Sequence, residues 1–208
     1  EEAYLVVVNA SNRHKDYEHM AKNILEGTKC EDISDNVAQV ALQGPKAPAI
    51  MKKLLPEDQI PKGYYTALPN IVINGVNTMI SRTGYTGELG YEIYCAPEDA
   101  AKLWKTLREA GEEFGLIPCG LGARDTLRME AALPLYGHEM GECQLGGELQ
   151  IFSVPLARFA VSFATEKGNF YGKEALLKQY DDYCHIKTFN FDDIEVLHYR
   201  TLSIALKG

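Results

Sequence analysis

Three β-type runs lie close together in the middle of the chain, joined by glycine-containing connections. Ile71–Asn74 and Thr78–Arg82 are separated only by Gly75-Val76-Asn77, a spacing typical of a β-hairpin. A loop with glycine at every third position, Thr83–Gly90, then leads into the run Tyr91–Cys95. Because connections this short join antiparallel neighbours, the stretch predicts a largely antiparallel sheet.

Helical patterns alternate with further strand patterns along the chain. The run Val37–Leu42 predicts a strand, and Pro45–Leu55 a helix with proline in its first turn. Pro97-Glu98-Asp99 opens the clearest helix, and another helix begins at Gly120 and reaches about Leu133. On one face of the clearest helix we expect Leu103, Trp104, Leu107 and Ala110. Together these elements predict an α+β fold, with mixed or antiparallel sheets and helices packed on one face.

The ends of the chain give weaker patterns. Tyr4–Val8 reads as a buried strand, after which Ser11 or Asn12 caps a helix that stops at Gly27. Shorter strands are expected at Cys30–Ile33 and Thr201–Leu206. Because natural domains seldom begin at a buried strand, we expect that upstream sequence is missing.

Composition excludes several classes of function. The 208 residues carry 21 Lys and Arg against 29 Asp and Glu, a net charge of −8. That balance argues against nucleic acid or an anionic membrane surface as the main partner. No apolar stretch approaches the roughly 18 residues of a membrane-spanning helix. The five cysteines are far apart and the five histidines are dispersed, so we expect free thiols and no metal site.

The glycine loop and the strand after it are the first candidate site. Gly84, Gly87 and Gly90 precede a strand rather than a helix, which disfavours a nucleotide phosphate loop. They favour tight turns with positive φ, or close approach of the backbone to a ligand. Glu92 lies on the strand face opposite Tyr91, where it is either a solvated carboxylate or an acceptor for a planar ligand bearing N–H groups.

Two arginines form the second candidate site. Arg124 and Arg128 are neighbours on one helix face, and their mutual repulsion requires a compensating anion. Asp125, three residues before Arg128, supplies one in a salt-bridged surface; alternatively the two arginines bind an anionic ligand through their planar guanidinium groups. Tyr64-Tyr65 is either a packing pair or a platform for a flat ring.

Several strings of residues together point to one known family. They are Ser81-Arg82-Thr83-Gly84-Tyr85-Thr86-Gly87-Glu88-Leu89-Gly90-Tyr91-Glu92, Gly120-Leu121-Gly122-Ala123-Arg124-Asp125-Thr126-Leu127-Arg128-Met129-Glu130, Leu135-Tyr136-Gly137-His138-Glu139-Met140, Val7-Val8-Asn9-Ala10, Ala41-Leu42-Gln43-Gly44-Pro45 and Gly172-Lys173-Glu174-Ala175-Leu176. With these strings the chain resembles the aminomethyltransferases, the T-proteins of the glycine cleavage system. The resemblance covers Ala3 to Met140, and Phe159 to Lys178 in part.

The resemblance implies a folate-dependent transferase without a metal. Such enzymes take an aminomethyl group from the lipoyl arm of the H-protein, release ammonia and pass the carbon to tetrahydrofolate. By matching position, Glu92 pairs with the pterin and Arg124 holds the folate, while Tyr85, Asn9 and Tyr65 line the pocket, Tyr65 with one residue of slippage. In the family this occurs in the bacterial cytoplasm or the mitochondrial matrix of eukaryotes.

The sequence also departs from the family pattern. In the family, a further segment with the aspartate associated with transfer chemistry precedes the strand at Ala3, and we expect that this segment is missing from the chain. We therefore divide the chain into a folate-binding core at 1–140, a divergent connection at 141–199 and the start of a C-terminal barrel at 200–208. No catalytic residue is assigned, and we expect the chain alone not to transfer carbon at family-like rates. Alternatives are a non-catalytic member that binds folate or a protein, and a folate-dependent demethylase-type relative.

Overall fold

A computed structural model describes residues 3–142 and 147–202, and the chain divides into two compact units, Glu1–Ala131 and Ala132–Gly208. The first unit is built on a four-stranded sheet of order β1-β4-β3-β2, in which every neighbouring pair is antiparallel. The strands are β1 Ala38–Gln43, β2 Ala67–Ile73, β3 Val76–Ser81 and β4 Gly90–Cys95.

Two helices, α2 (Ala47–Leu54) and α3 (Ala100–Gly111), pack on one face of this sheet. Side chains alternate along each strand, so that every second residue points toward the helices. The buried core consists of Leu42, Ala47, Ile50, Met51, Leu55, Ile60, Ile73, Val76, Ile80, Tyr91, Ile93, Cys95, Leu103, Leu107 and Ala110. The predicted α+β class, with an antiparallel sheet and helices on one face, is confirmed.

The hairpin between β2 and β3 is tighter than the sequence analysis predicts. Ile73 pairs with Val76, so the connection is the two residues Asn74-Gly75 rather than Gly75-Val76-Asn77. Both turn residues have positive φ, 47° and 74°, as a type I′ hairpin turn requires. Val76 is consequently a core residue of β3 and not part of the loop.

Two further helices of the first unit are α1 (Arg13–Lys22) and α4 (Leu121–Glu130). Helix α1 has no buried residue, and its first residue forms ion pairs with the segment that follows the helix. Arg13 donates to Asp32 at 2.7 Å and, through both terminal nitrogens, to Asp35 at 2.8 Å. The hydrogen bonds from Arg13 hold the pKa of the Asp35 carboxyl below its ordinary value.

The second unit contains α5 (Ala157–Ala160) and α6 (Lys173–Lys187). A short antiparallel ladder joins β5 (Gly141–Glu142) to β6 (Glu148–Leu149). The core of this unit is made by Phe152, Ala157, Tyr183, Ile186 and Leu197. Throughout the part of the chain that the structure describes, the helices are too short or too polar to cross a membrane.

Several predicted elements are wrong. Tyr4–Val8 is not a strand: no described segment pairs with it, and Tyr4 is 87% exposed. A strand needs a neighbour for its backbone groups, which an apolar run alone does not supply. Cys30–Ile33 is likewise not a strand, and Thr201–Leu206 lies largely outside the described residues.

The apolar face of α3 also differs from the prediction at one position. Trp104 is 44% exposed, and the buried position beside Leu103 and Leu107 is taken by Thr106. The Thr106 hydroxyl donates to Lys102 O at 2.9 Å and accepts from Asn74 Nδ2 at 3.0 Å. Because both of its hydrogen-bonding functions are satisfied, this polar side chain is tolerated in the core.

Candidate functional site

Glu92 lies in the middle of β4, one of the two central strands of the sheet. Its neighbours in register are Ala41 on β1 and Ser81 on β3. Tyr91 and Ile93 on either side are buried in the core under the helices, which confirms that Glu92 belongs to the opposite face. The carboxylate is therefore presented on the face of the sheet away from α2 and α3.

Two neutral donors orient the Glu92 carboxylate. Gln39 Nε2 donates to Oε1 at 2.7 Å, and the hydroxyl of Thr83 donates to Oε2. Ser81 Oγ lies 2.9 Å from Thr83 Oγ1, so the hydroxyl of Ser81 supplies the donor that Thr83 accepts. Each carboxylate oxygen accepts more than one hydrogen bond, so both retain capacity for donors from a ligand.

Tyr94, two residues further along β4, shares the face of Glu92. Burial, reinforced by the negative charge of Glu92, raises the pKa of Tyr94 to about 12. The phenol therefore stays protonated through the neutral pH range, and it contributes no charge to the site.

The glycine loop, Thr83–Gly90, adopts its shape for two different reasons. Gly87 has φ of +73°, and a Cβ there would lie 2.7 Å from the Ala131 Cβ. Gly84 and Gly90 need no positive φ; a Cβ on either would collide with the side-chain amide of Gln43. The predicted positive φ is therefore confirmed at Gly87 alone. At Gly84 and Gly90 the close approach is to the side chain of Gln43, and close approach to a ligand stays a prediction.

Gln43, the last residue of β1, is a site residue that the sequence analysis missed. Its Nε2 donates to the carbonyls of Thr83 at 3.2 Å and Tyr91 at 3.3 Å, and its Oε1 accepts from Thr86 Oγ1 at 3.0 Å. In the sequence, Gln43 shows only as a polar residue at the end of a strand, within one of the strings that carry the family resemblance. Its partners are 40 and more residues away, so this pattern could not identify them.

The two arginines of α4 have separate roles. Arg128 is 1% exposed; its Nε donates to Asp125 Oδ1 at 2.8 Å. The salt bridge expected between them is therefore present, with Arg128 buried and the Asp125 side chain 44% exposed. Arg124 is exposed, and its guanidinium carbon lies 4.9 Å from the centroid of the Tyr85 ring. Contact between Arg124 and Tyr85 joins α4 to the glycine loop.

The remaining two candidates lie on other segments. Tyr65 has φ of +59° and is 89% exposed; its backbone N–H donates to Arg82 O at 3.2 Å, next to the start of the glycine loop. The guanidinium of Arg82 lies 5.0 Å from the ring of Tyr64. Asn9 precedes α1 and accepts the Ser11 hydroxyl at 2.9 Å. Among the described contacts, the glycine loop connects three of the five candidates, since Thr83 bonds to Glu92 and Tyr85 contacts Arg124. No described side-chain contact connects Tyr65 or Asn9 to these three.

This arrangement suits a flat ligand with donors at one end and negative charge elsewhere. Glu92 offers acceptor oxygens in fixed orientation, and an ionised carboxylate makes strong hydrogen bonds with N–H groups. Arg124 offers a planar cation at the loop, and Tyr85 offers an aromatic face. These groups can recognise and orient such a ligand by hydrogen bonding, charge and aromatic contact.

Comparison with known proteins gives consistent results. Residues 1–151 match the GCVT N-terminal domain family. The chain is 47% identical over 195 residues to an aminomethyltransferase of Bacillus mycoides, covering 94% of this chain and 51% of that protein. With an aminomethyltransferase of Bacillus cytotoxicus the identity is 47% over 182 residues, covering 88% and 48%.

A solved structure is similar as well. The crystal structure of glycine cleavage system aminomethyltransferase T from Bartonella henselae superposes with a TM-score of 0.64 at 28% identity. The match covers 83% of this chain and 44% of that one. The chain thus spans about half the length of the curated relatives that it matches.

Proposed function

The chain belongs to the GCVT N-terminal domain family, and from this membership we propose that it is the tetrahydrofolate-binding part of a glycine-cleavage aminomethyltransferase. The reaction moves the aminomethyl carbon from the lipoyl arm of the H-protein to tetrahydrofolate and releases ammonia. Support comes from the similarity to known aminomethyltransferases, and from the oriented carboxylate of Glu92 near a loop that Arg124 contacts.

The single observation that carries the proposal is the environment of Glu92. Its oxygens are fixed by Gln39 and Thr83 on the face of the sheet away from α2 and α3. A pterin presents a ring N–H and an exocyclic NH₂ side by side, and the two carboxylate oxygens accept both at once. Glu92 would therefore fix the orientation of the ring.

The other side chains hold the rest of the ligand. Arg124, exposed beside Tyr85, pairs with an anionic part of the folate, since a guanidinium donates bidentately to a carboxylate. Tetrahydrofolate itself supplies the nitrogen atoms that take up the one-carbon unit. The contribution of this chain is to place those atoms reproducibly, and positioning of reactants lowers a barrier by several kcal/mol. Asn9 and Tyr65 would line the pocket further out.

The test is a calorimetric titration of the chain with tetrahydrofolate. In Glu92→Gln one acceptor oxygen becomes an NH₂ that faces another donor. Hydrogen bonds to a charged group are worth about 1.5–3 kcal/mol, so the affinity should fall about 10- to 150-fold.

Glu88→Gln is the matched control, since Glu88 is an exposed carboxylate in the same loop. Its affinity for tetrahydrofolate should stay within about 2-fold of the parent chain. Equal effects of the two substitutions, or no binding by the parent chain, would refute the assignment. Binding without ammonia release from aminomethylated H-protein would instead support a non-catalytic folate-binding member.

A further inference from the structure

We propose that Gln43 is a positioning residue for the folate site: its side-chain amide holds the glycine loop in the conformation that presents Glu92, Tyr85 and Arg124 to the ligand. The inference rests on the proposed function and adds to it a residue that acts through the glycine loop. Gln43 is half-buried at the end of β1, under the loop.

The amide of Gln43 uses both its donor and its acceptor functions. Nε2 donates to the carbonyls of Thr83 and Tyr91, one at each end of the loop, at 3.2 and 3.3 Å. Oε1 accepts from the hydroxyl of Thr86, in the middle of the loop, at 3.0 Å. Next to Gln43, the backbone N–H of Gly44 donates to Leu89 O at 2.7 Å. The loop is thus fixed to the end of β1 at several points.

Two glycines make room for this amide. A Cβ on Gly84 or on Gly90 would collide with the terminal atoms of the Gln43 side chain. A long side chain can move aside, but then its hydrogen bonds to Thr83, Tyr91 and Thr86 are lost. Neither glycine has the positive φ that excludes other residues, so the space for Gln43 is what requires glycine at these positions.

Gln43 reaches the ligand-binding groups through the loop. Thr83, whose carbonyl accepts from Gln43, donates its hydroxyl to Glu92. Tyr85 lies between Thr83 and Thr86, both bonded to Gln43, and its ring contacts Arg124. Displacing one amide would therefore disturb the groups proposed for both ends of the folate.

The decisive experiment is a double-mutant cycle measured by tetrahydrofolate titration at a temperature where all variants are folded. Gln43→Ala and Gly84→Ala should each weaken binding about 10-fold, the first by removing the amide and the second by expelling it. The double variant should bind no more weakly than Gln43→Ala alone, because Ala at 84 then meets no amide. If the two substitutions acted independently, their effects on the affinity would instead multiply, and that result would overturn the proposal.

Gly87→Ala provides the matched control within the same loop. Its cost comes from positive φ and from Ala131, not from Gln43, so its effect should multiply with that of Gln43→Ala. Gln43→Glu is a second control: it keeps the size of the side chain but cannot donate to the two carbonyls, so it should not retain the parent affinity.

Amide hydrogen exchange over 83–90 separates this proposal from the proposed function. Gln43→Ala should speed exchange in the loop in the absence of ligand. If the parent chain fails to bind tetrahydrofolate, the proposed function falls, and the exchange result alone decides whether Gln43 orders the loop. If the parent chain binds and Gln43→Ala binds equally well, Gln43 is not a positioning residue although the proposed function stands.

Discussion

Asp125 Oδ1 lies 2.8 Å from Nε and 2.6 Å from Nη2 of Arg128, so that this carboxylate pairs with one arginine of α4 and not with the other. The pairing turns Arg128 into a buried structural residue. Arg124, one turn earlier, remains exposed beside Tyr85. Of the two interpretations open from the sequence, the salt bridge applies to Arg128. Anion binding by Arg124 stays a prediction.

Arg124→Lys should weaken tetrahydrofolate binding although the net charge is unchanged. Lysine keeps the positive charge but loses the planar group that stacks on Tyr85 and donates bidentately. An exposed cation–π contact is worth about 0.5–1 kcal/mol, and with the lost geometry of the pair we expect a decrease of about 2- to 10-fold. Calorimetric titration measures the change.

Arg108→Lys is the control for this substitution. Arg108 is an exposed arginine on α3. The same replacement of a guanidinium by an ammonium group is therefore made at a position outside the candidate site. Its affinity should equal that of the parent chain. Equal weakening in the two variants would show that Arg124 has no special role.

The regular parts of the sheet could be predicted because they follow from local periodicity. Alternation along β4 placed Tyr91 and Ile93 in the core and Glu92 on the other face, as the register confirms. Leu103, Leu107 and Ala110 were predicted from helical spacing and are buried.

The errors arise where the outcome depends on distant partners. The run Tyr4–Val8 has the composition of a strand, but pairing is a property of two segments. The burial of Thr106 depends on Asn74, 32 residues away, whose side-chain amide donates a hydrogen bond to the Thr106 hydroxyl. Gln43 was missed for the same reason, since its role exists only once the glycine loop folds over it.

The hairpin turn at Asn74-Gly75 gives a prediction on stability. Gly75 has φ of +74°, where a Cβ is strained. Gly75→Ala should therefore destabilise the first unit by about 1–2 kcal/mol. The fluorescence of Trp104, the single tryptophan of the chain, reports urea unfolding of this unit.

Gly122→Ala should raise the free energy of unfolding, whereas Gly75→Ala should lower it. Gly122 lies inside α4, and a Cβ there would meet nothing within 4 Å. Alanine loses less backbone freedom on folding, so the substitution should stabilise by about 0.5–1 kcal/mol. Finding the same sign for the two substitutions would contradict this account of both glycines.

Asp182 organises the second unit. It is 3% exposed, and its carboxylate accepts the backbone N–H groups of Glu195, Val196 and Leu197 at 3.1, 2.7 and 2.8 Å. In Asp182→Asn one oxygen becomes an NH₂ that faces these donors. We expect a loss of about 1.5–3 kcal/mol in the free energy of unfolding, measured by urea titration at neutral pH.

Asp181→Asn is the control, because Asp181 is the exposed neighbour on the same helix. Its effect on stability should stay within about 0.5 kcal/mol. Amide exchange at Glu195, Val196 and Leu197 should accelerate only in Asp182→Asn. Comparable acceleration in both variants would mean that the carboxylate of Asp182 does not hold the segment.

The contribution of Asp182 should also depend on pH. Burial alone would raise the pKa of this carboxyl. The hydrogen bonds from Val196, Leu197 and Glu195 lower it by more than burial raises it, so the net pKa lies below the ordinary value. The unfolded chain then binds the proton more readily than the folded one. The free energy of unfolding therefore rises with pH between the folded and the unfolded pKa of Asp182. The stabilisation is complete above the unfolded pKa of about 3.9 and is lost as the pH falls through the folded pKa.

Urea titrations from pH 7 down to pH 2 should therefore show a difference between the parent chain and Asp182→Asn that is constant above about pH 5 and shrinks in acid. A difference that persists unchanged at pH 2 would show that the charge of Asp182 contributes nothing to it.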